Sequence, residues 1–330
     1  MIDVKMWGRA LAQMPKLSHS EWQVLDPIAK WLIACRASVL FMTFTAAALG
    51  GVMAWRAGHF HWGLWLATVL GLLFAHATNN LLNDYTDSRR GIDKDNYYRN
   101  QYGVHVLEDG LMNERQFWRY VGVTAGLALL LGGWLVSQRA GLTVDLMLAG
   151  AFFVLFYTWP LKYYGLGEPA VLLVWGPLMV GGTYYVLSGS WSADVAWLSV
   201  VFALGPTTVL FGKHTDKWQA DKCKGVNTLP VIIGERAARR SIAAMVAAQY
   251  LLCAALVVAG SFHWPLLLVL ANLVHLPALM RILGQAKPQS PPPGYPEGAW
   301  PLWFSAYAFS HTRRFTSLFL LGVLLDTLLY

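Results

Sequence analysis

The sequence predicts an all-α polytopic membrane protein with nine transmembrane helices and two cytoplasmic aspartate-rich caps. Three observations carry that reading. The 330-residue chain is 56% hydrophobic and only 13% charged, with a mean hydropathy of +0.43, whereas soluble domains carry about twice that charged fraction. Apolar runs of about twenty residues recur along it, the length that crosses a bilayer. Lys and Arg gather in alternate connecting segments, which is a topology signal.

Residues 1–27 form a polar cytoplasmic arm containing acids and a proline. No apolar core follows a short basic start, so no cleaved signal peptide is expected. The membrane domain then runs over 28–330. Its spans fall at 28–54, 62–83, 117–137, 142–161, 169–188, 193–212, 238–259, 263–284 and 315–330, the last able to begin a little earlier. Breakers separate them, among them Arg56-Ala57-Gly58-His59, Arg139-Ala140-Gly141 and Gly165-Leu166-Gly167. Residues 286–301 are Pro-rich and cannot hold a helix, so they read as an extended connector.

Twenty-three of the twenty-five Lys and Arg lie in the arm, at the start of the first span, or in the loops after even-numbered spans. Only Arg56 and Arg139 lie on the other face. By the positive-inside rule the arm and the even-numbered loops are cytoplasmic. This placement also explains the net charge of +7 without nucleic acid as a partner. Three cysteines, Cys35, Cys223 and Cys253, lie far apart in sequence and indicate neither a disulfide framework nor a zinc site.

Two loops carry acids as well as bases. Segment 79–93 presents three asparagines and three aspartates at the end of an apolar run. On a helix, residues three and four apart are neighbours, so His76, Asn80, Asn83, Asp84 and Asp87 form one stripe. Amides and carboxylates gathered in this way suit a hard cation such as Mg²⁺. A solvated helix end is the plainer reading, but like charges at that spacing repel unless something neutralises them.

The second cluster runs from Gly212 to Pro230. If it is helical to Asp221, then His214, Lys217, Trp218 and Asp221 share a face, and Asp216 lies about 140° from Asp221. The two acids then converge only if the helix is distorted or ends there. Both clusters fall on one membrane face, and they read as two halves of one site, binding Mg²⁺ and a polyanion.

The run Asn83-Asp84-x-x-Asp87-x-x-x-Gly91-x-Asp93 resembles the first aspartate-rich motif of the UbiA superfamily of intramembrane prenyltransferases. Its third aspartate resembles the branch that prenylates dihydroxynaphthoate in menaquinone synthesis. Asp221-x-x-x-Gly225-x-x-Thr228-Leu229-Pro230 is similar to the end of the family's second motif. Tyr157-Thr158-Trp159-Pro160, Gly165-Leu166-Gly167-Glu168 and Gly176-Pro177 are similar to its fourth-to-fifth helix region. One departure stands out: the family places an acid four residues before Asp221, where this chain has Lys217, with Asp216 beside it. Either Asp216 substitutes through a register change, or Lys217 contacts diphosphate.

The resemblance covers about residues 28–330. It implies nine helices around a central cavity in a bacterial-type cell membrane, with the site on the cytoplasmic face. It also implies transfer of an isoprenyl group from an isoprenyl diphosphate to an aromatic acceptor, for this branch 1,4-dihydroxy-2-naphthoate. Mg²⁺ is the expected cofactor, held by Asp84, Asp87 and Asp221 with Asp216 as a further candidate, and Asn83 completes the shell or orients a water. Asn80, Arg99, Lys162, Lys213, Lys217 and Lys224 are candidates to hold the diphosphate. Tyr157, Trp159 and Tyr163 are candidates to shield an allylic cation.

Several of these residues have a plainer reading. Arg99 and Lys224 also serve as topology charges, and Tyr157 and Trp159 as interfacial aromatics. Glu168 either orients Lys162 or caps the following helix. His214 is a supporting partner, a base or a satisfied polar residue. A different acceptor, a terpene cyclisation or, from another class, a membrane carrier with a cation site are the competing functions.

Overall fold

The computed structural model describes residues 2–94, 103–296 and 299–330. Arg99 and Asp95 lie outside the described residues. Among the described residues the regular elements are helical, joined by one isolated parallel bridge between Tyr164 and Asn227. Among the described residues seven helices are long and apolar enough to cross a membrane, and they answer to seven of the nine predicted spans. The fourth predicted span is an apolar helix of fifteen residues, Leu142–Phe156. The ninth is a helix of 26 residues, Phe304–Leu329, which carries Arg313, Arg314 and Asp326.

The chain divides into two compact units, Met1–Thr45 with Leu66–Trp159, and Ala46–Trp65 with Pro160–Tyr330.

In the first unit, α1 (Val4–Ala12), α2 (His19–Val24) and α3 (Pro27–Ala34) precede α4 (Phe41–Arg56), which begins in this unit. Ser18 and Glu21 close a capping box on α2. Asp26 caps α3, accepting the N–H groups of Ile28 and Ala29 at 2.9 Å each. The same carboxylate accepts the backbone N–H of Asp3 and the indole N–H of Trp7, which fastens α1 to α3. Helix α5 (Trp62–Arg89) follows, then α6 (Glu114–Gln138), capped by Asn113 and Gln116, and α7 (Leu142–Phe156). Leu32, Ala77, Leu81, Phe117 and Val121 form its buried core.

Two predicted boundaries move in this unit. The span expected at 28–54 is not continuous. Arg36 adopts a left-handed backbone (φ 56°, ψ 54°), and a short 3₁₀ turn, Ala37–Val39, leads into α4. Left-handed geometry costs a residue with a Cβ about 1–2 kcal/mol, so something must hold Arg36 there. The second span extends further than expected: α5 has 28 residues, about 42 Å against a hydrocarbon core of about 30 Å. It ends where Gly91 turns left-handed (φ 69°), with Ile92 N–H returning to Asp87 O at 2.9 Å.

The second unit contains α8 (Gly167–Leu173), a π-helical stretch (Val174–Gly181) and α9 (Gly182–Ser188). Pro177 lacks an N–H and crowds the preceding turn, which accounts for the non-helical backbone at Gly176. Helix α10 (Ala193–Asp216) is mostly buried and packs on α8, on the π stretch, on α13 (Glu235–Val258) and on α15 (Phe304–Leu329). Between α10 and α13 lie two short helices, α11 (Trp218–Cys223) and α12 (Leu229–Ile233). A 3₁₀ stretch (Trp264–His275) runs into α14 (Leu276–Gly284).

Among its described residues the Pro-rich segment carries no helix, as expected, but it is pinned rather than simply extended. Lys287 Nζ donates to the carbonyls of Asp216 and Pro301, and Tyr295 donates its hydroxyl to Leu302 O. Rings of Tyr295, Trp300, Trp303 and Tyr307 pack edge to face and tilted around that anchor. Burial lowers the Lys287 ammonium from its usual range, against the pull of Asp216 and Glu235. Burial, with Asp216 and Tyr307 beside it, pushes the Tyr295 hydroxyl up to about 12.

Candidate functional site

Within the first unit, α5 carries the acidic stripe as its periodicity requires. Asn80, Asp84 and Asp87 are buried, at 6%, 3% and 6% exposure, and Asn83 is half-buried. The stripe gathers on a residue from outside the motif. Arg36 Nη2 donates to Asn80 O (3.0 Å), Asn80 Oδ1 (3.2 Å) and Asn83 Oδ1 (3.1 Å), and lies 3.3 Å from Asp84 Oδ1. These contacts offset the cost of its left-handed backbone.

Asn80 donates back to Cys35 O at 2.9 Å, so the break in the first span and the motif hold one another. Asn83 Nδ2 donates to Asp87 Oδ2 (3.2 Å) and to Thr158 Oγ1 (3.0 Å). His76 pairs with Thr43 at 2.7 Å. Reading the sequence counted Arg36 among the topology charges. The signal that could have singled it out was a guanidinium nine residues inside a predicted apolar span, where a charge needs a partner.

The third aspartate has a different task. Asp93 Oδ2 lies 3.1 Å from Nε2 of buried His105, and His105 N–H donates to Asp109 Oδ2 at 2.8 Å. Asp93 thus holds the turn after α5 to the described segment around His105. Arg90 stacks its guanidinium over the Trp159 ring at 4.8 Å, which gives Trp159 a cation partner within the unit. Tyr157 is half-buried just past α7.

Within the second unit the helix does break, but the two acids go separate ways. Helix α10 ends at Asp216, Lys217 leaves helical geometry, and α11 begins at Trp218. Asp216 accepts the N–H groups of Trp303 (2.9 Å), Phe304 (2.8 Å) and Ser305 (3.1 Å). It therefore caps α15, with Lys287 Nζ 3.9 Å from Oδ1. Both its oxygens satisfy N–H groups that α15 would otherwise leave open. In this structure Asp216, expected as a further metal ligand, is engaged on the start of α15 through both carboxylate oxygens.

Lys217 takes a defined place. Its ammonium lies 2.9 Å from Asp221 Oδ1, and the two side chains are 14% and 5% exposed. Asp221 Oδ2 is buried with no hydrogen-bond partner among the described residues. A buried carboxylate oxygen left in this state is costly, and it suits a hard cation.

Glu168 pairs with His214 rather than with Lys162. His214 Nδ1 lies 2.6 Å from Glu168 Oε1, both buried, and Glu168 Oε2 accepts Leu229 N–H at 3.4 Å. The Gly165–Glu168 turn therefore docks the loop that follows Asp221. Gly165 has φ 73°, and a Cβ there would meet Ile232 Cδ1 at 2.5 Å. Lys162 is buried, with its ammonium 5.5 Å from the Tyr163 ring. Lys213 is half-buried and Lys224 is exposed.

Among the described residues no group of three or more His, Cys, Asp or Glu encloses a metal unaided. The acids fit Mg²⁺ in the form it usually takes, bound through one or two carboxylates, substrate phosphates and water.

The chain matches the UbiA prenyltransferase family over residues 41–295. It is 29% identical over 260 residues to 1,4-dihydroxy-2-naphthoate octaprenyltransferase of Escherichia coli (strain K12), covering 76% of this chain and 83% of that one. It is 28% identical over 261 residues to 2-carboxy-1,4-naphthoquinone phytyltransferase of Synechocystis sp. (strain ATCC 27184 / PCC 6803 / Kazusa), covering 77% and 82%. Its fold is similar to that of a UbiA homolog from Archaeoglobus fulgidus bound to DMAPP and Mg²⁺, with a TM-score of 0.56 and 14% identity over 88% of this chain and 99% of that one. Membrane-length apolar helices, two acid motifs each holding a basic side chain, and a family match across most of its length make this chain a member of the UbiA prenyltransferase family.

Proposed function

We propose that this prenyltransferase transfers an isoprenyl group from an isoprenyl diphosphate to 1,4-dihydroxy-2-naphthoate and releases diphosphate, on the cytoplasmic face of the membrane. The observation that carries the reading is the make-up of the two motifs. Each joins a buried carboxylate to a cation, Arg36 to Asp84 and Lys217 to Asp221. A site for a metal-bound diphosphate needs both signs, acids for the metal and bases for phosphate oxygens. The naphthoate acceptor is favoured by the names of two relatives.

Asp84, Asp87 and Asp221 would hold Mg²⁺. When bound, Mg²⁺ supplies Lewis-acid neutralisation of the leaving diphosphate oxygens. Asn83 fixes the Asp87 carboxylate through its amide, and Arg36 fixes Asn80 and Asn83. These contacts hold the first motif rigid before substrate arrives, so little reorganisation is left for the reaction. Lys162, Lys213, Lys217 and Lys224 are the proposed basic groups for diphosphate oxygens, together with Arg99, which lies outside the described residues. Tyr157 and Asn80 complete the substrate-binding set, Asn80 chiefly by positioning.

Purified protein given isoprenyl diphosphate and dihydroxynaphthoate should yield prenylated naphthoate, identified by mass spectrometry. Asp84→Ala and Asp221→Ala should abolish it while the protein stays folded. Unchanged turnover in either variant would falsify the assignment. A cyclised product formed without acceptor would replace transfer with cyclisation.

A further inference from the structure

We infer that the groove between the Trp264–Gly284 segment and α15 binds the phosphodiester headgroup of an anionic phospholipid that carries a hydroxyl, as a phosphatidylglycerol does. The groove holds about 410 Å³ and is lined by Asn272, His275, Arg313, Arg314, Ser317 and Leu318. That volume is in the range of small-ligand sites. None of these residues belongs to either acid motif.

Arg313 and Arg314 were expected in a loop, ahead of a span beginning near 315. The structure starts α15 at Phe304, which places both arginines within the helix. Arg313 is nine residues in from Phe304, about 13 Å along the axis. His275 stands nine residues before Gly284, where α14 ends, so the two lie at matching depth below the 285–303 segment. Both arginines are exposed, and neither has an ion pair with an acid among the described residues.

A guanidinium below a helix end is costly in lipid unless it reaches an anion. Helix α15, at 26 residues, is about 39 Å long, longer than the hydrocarbon core by about 9 Å. Its first turns therefore project into the headgroup zone, and long arginine side chains reach back toward phosphate level. Basic pockets between membrane helices are the usual means of holding anionic headgroups.

The floor of the groove is built for more than charge. Asn272 is 2% exposed. Its Nδ2 donates to Tyr250 Oη at 3.1 Å, and Tyr250 Oη lies 3.0 Å from His311 Nε2. This buried chain fixes the amide, yet Asn272 Oδ1 has no partner among the described residues. Asn272 lines the same groove as Arg313 and Arg314, so an open acceptor and two positive charges together favour a ligand that combines a negative charge with a hydroxyl donor. A phosphate diester bearing a glycerol headgroup has both, and its acyl chains would lie along Leu318.

Native mass spectrometry of the detergent-solubilised full chain tests this, after incubation with equimolar dioleoyl phosphatidylglycerol and dioleoyl phosphatidylcholine. Wild type should retain phosphatidylglycerol about thirtyfold over phosphatidylcholine, the order that two arginines near a membrane surface supply. The preference should vanish in Arg313→Gln/Arg314→Gln and in Ser317→Trp, which fills the groove without removing charge. It should survive in Arg119→Gln, an exposed arginine elsewhere. Equal retention of the two lipids by wild type, or a preference that survives Ser317→Trp, overturns the inference. Displacement of the lipid by inorganic diphosphate at equal concentration also overturns it, because the groove would then be a site for soluble anions. If the double arginine variant does not fold, Ser317→Trp and the diphosphate competition decide.

Discussion

The ammonium of Lys217 lies 2.9 Å from Asp221 Oδ1, while the other oxygen of the same carboxylate is buried without a partner among the described residues. The lysine thus neutralises part of an acid whose other oxygen is left open, as a cation ligand would be. Lys217→Ala should leave that buried charge uncompensated. The expected cost is on the order of 2 kcal/mol, below the 3–5 of a fully enclosed pair because Lys217 keeps some solvent contact. Added Mg²⁺ should recover more thermal stability in the variant than in wild type. Thermal melts with and without Mg²⁺ check this, and an equal Mg²⁺ effect in both proteins counts against Asp221 as a ligand.

Arg36 is the hub of the first motif, so its loss should be felt in turnover more than in folding. Arg36→Ala removes three hydrogen bonds and the charge beside Asp84. A drop in kcat of about a hundredfold is expected, equivalent to ~2.7 kcal/mol of transition-state stabilisation. Arg36→Lys should recover only part of it, since an ammonium cannot present the planar fork. Steady-state prenyl transfer measures both, and wild-type kcat in Arg36→Ala would remove the residue from the site.

Asp216 predicts a contrast between stability and metal. Asp216→Ala leaves three N–H donors at the start of α15 without their acceptor, a loss of about 1–3 kcal/mol. Mg²⁺ affinity, read by titration calorimetry in the presence of diphosphate, should stay within about twofold of wild type. A tenfold loss of affinity with a normal melting temperature would restore Asp216 to the ligand set.

The Glu168–His214 pair should control the loop that follows Asp221. Glu168→Ala frees the Leu229 N–H and leaves His214 without its acceptor. Tryptic cleavage after Lys222 and Lys224 should accelerate several-fold, as expected when a local opening becomes cheaper. Glu168→Gln, which keeps the shape, should fall between. Equal cleavage rates in all three proteins would show that the pair does not anchor the loop.

Asp26 gives the N-terminal arm a pH dependence. Burial alone would raise its carboxyl, but N–H donors from Ala29, Asp3 and Ile28 and the Trp7 indole outweigh it and hold it below the ordinary value of 3.8. A depressed carboxyl contributes stability above that value and loses it as pH falls through the native one. Hydrogen-exchange protection of residues 3–12, corrected for the intrinsic pH dependence of amide exchange, should therefore be high at pH 5 and fall below about 3.8. Asp26→Asn should show low protection at every pH. A flat protection profile in wild type would discount the clamp.

Several features of this protein are readable along the chain because they depend on neighbours in sequence. Apolar run length marks most of the helices, and the three-and-four spacing of Asn80, Asn83, Asp84 and Asp87 defines the stripe on α5. Gly141 and Gly165 mark breaks at which the structure turns left-handed. The start of α15 was misplaced because Arg313 and Arg314 mimic a loop charge pair, although the helix contains them.

What the sequence determined by itself is the class, a helical membrane prenyltransferase, together with the acids Asp84, Asp87 and Asp221 as candidates. What only the tertiary structure decided is the partner of each charge whose partner lies far away along the chain. Arg36 reaches Asp84 across 48 residues, Asp216 caps a helix that begins 88 residues later, and Glu168 meets His214 across 46. Hydrophobic periodicity is local and repeats in any window of the chain. A buried charge is satisfied by whichever group the packing brings within about 3 Å, and no spacing along the chain encodes that.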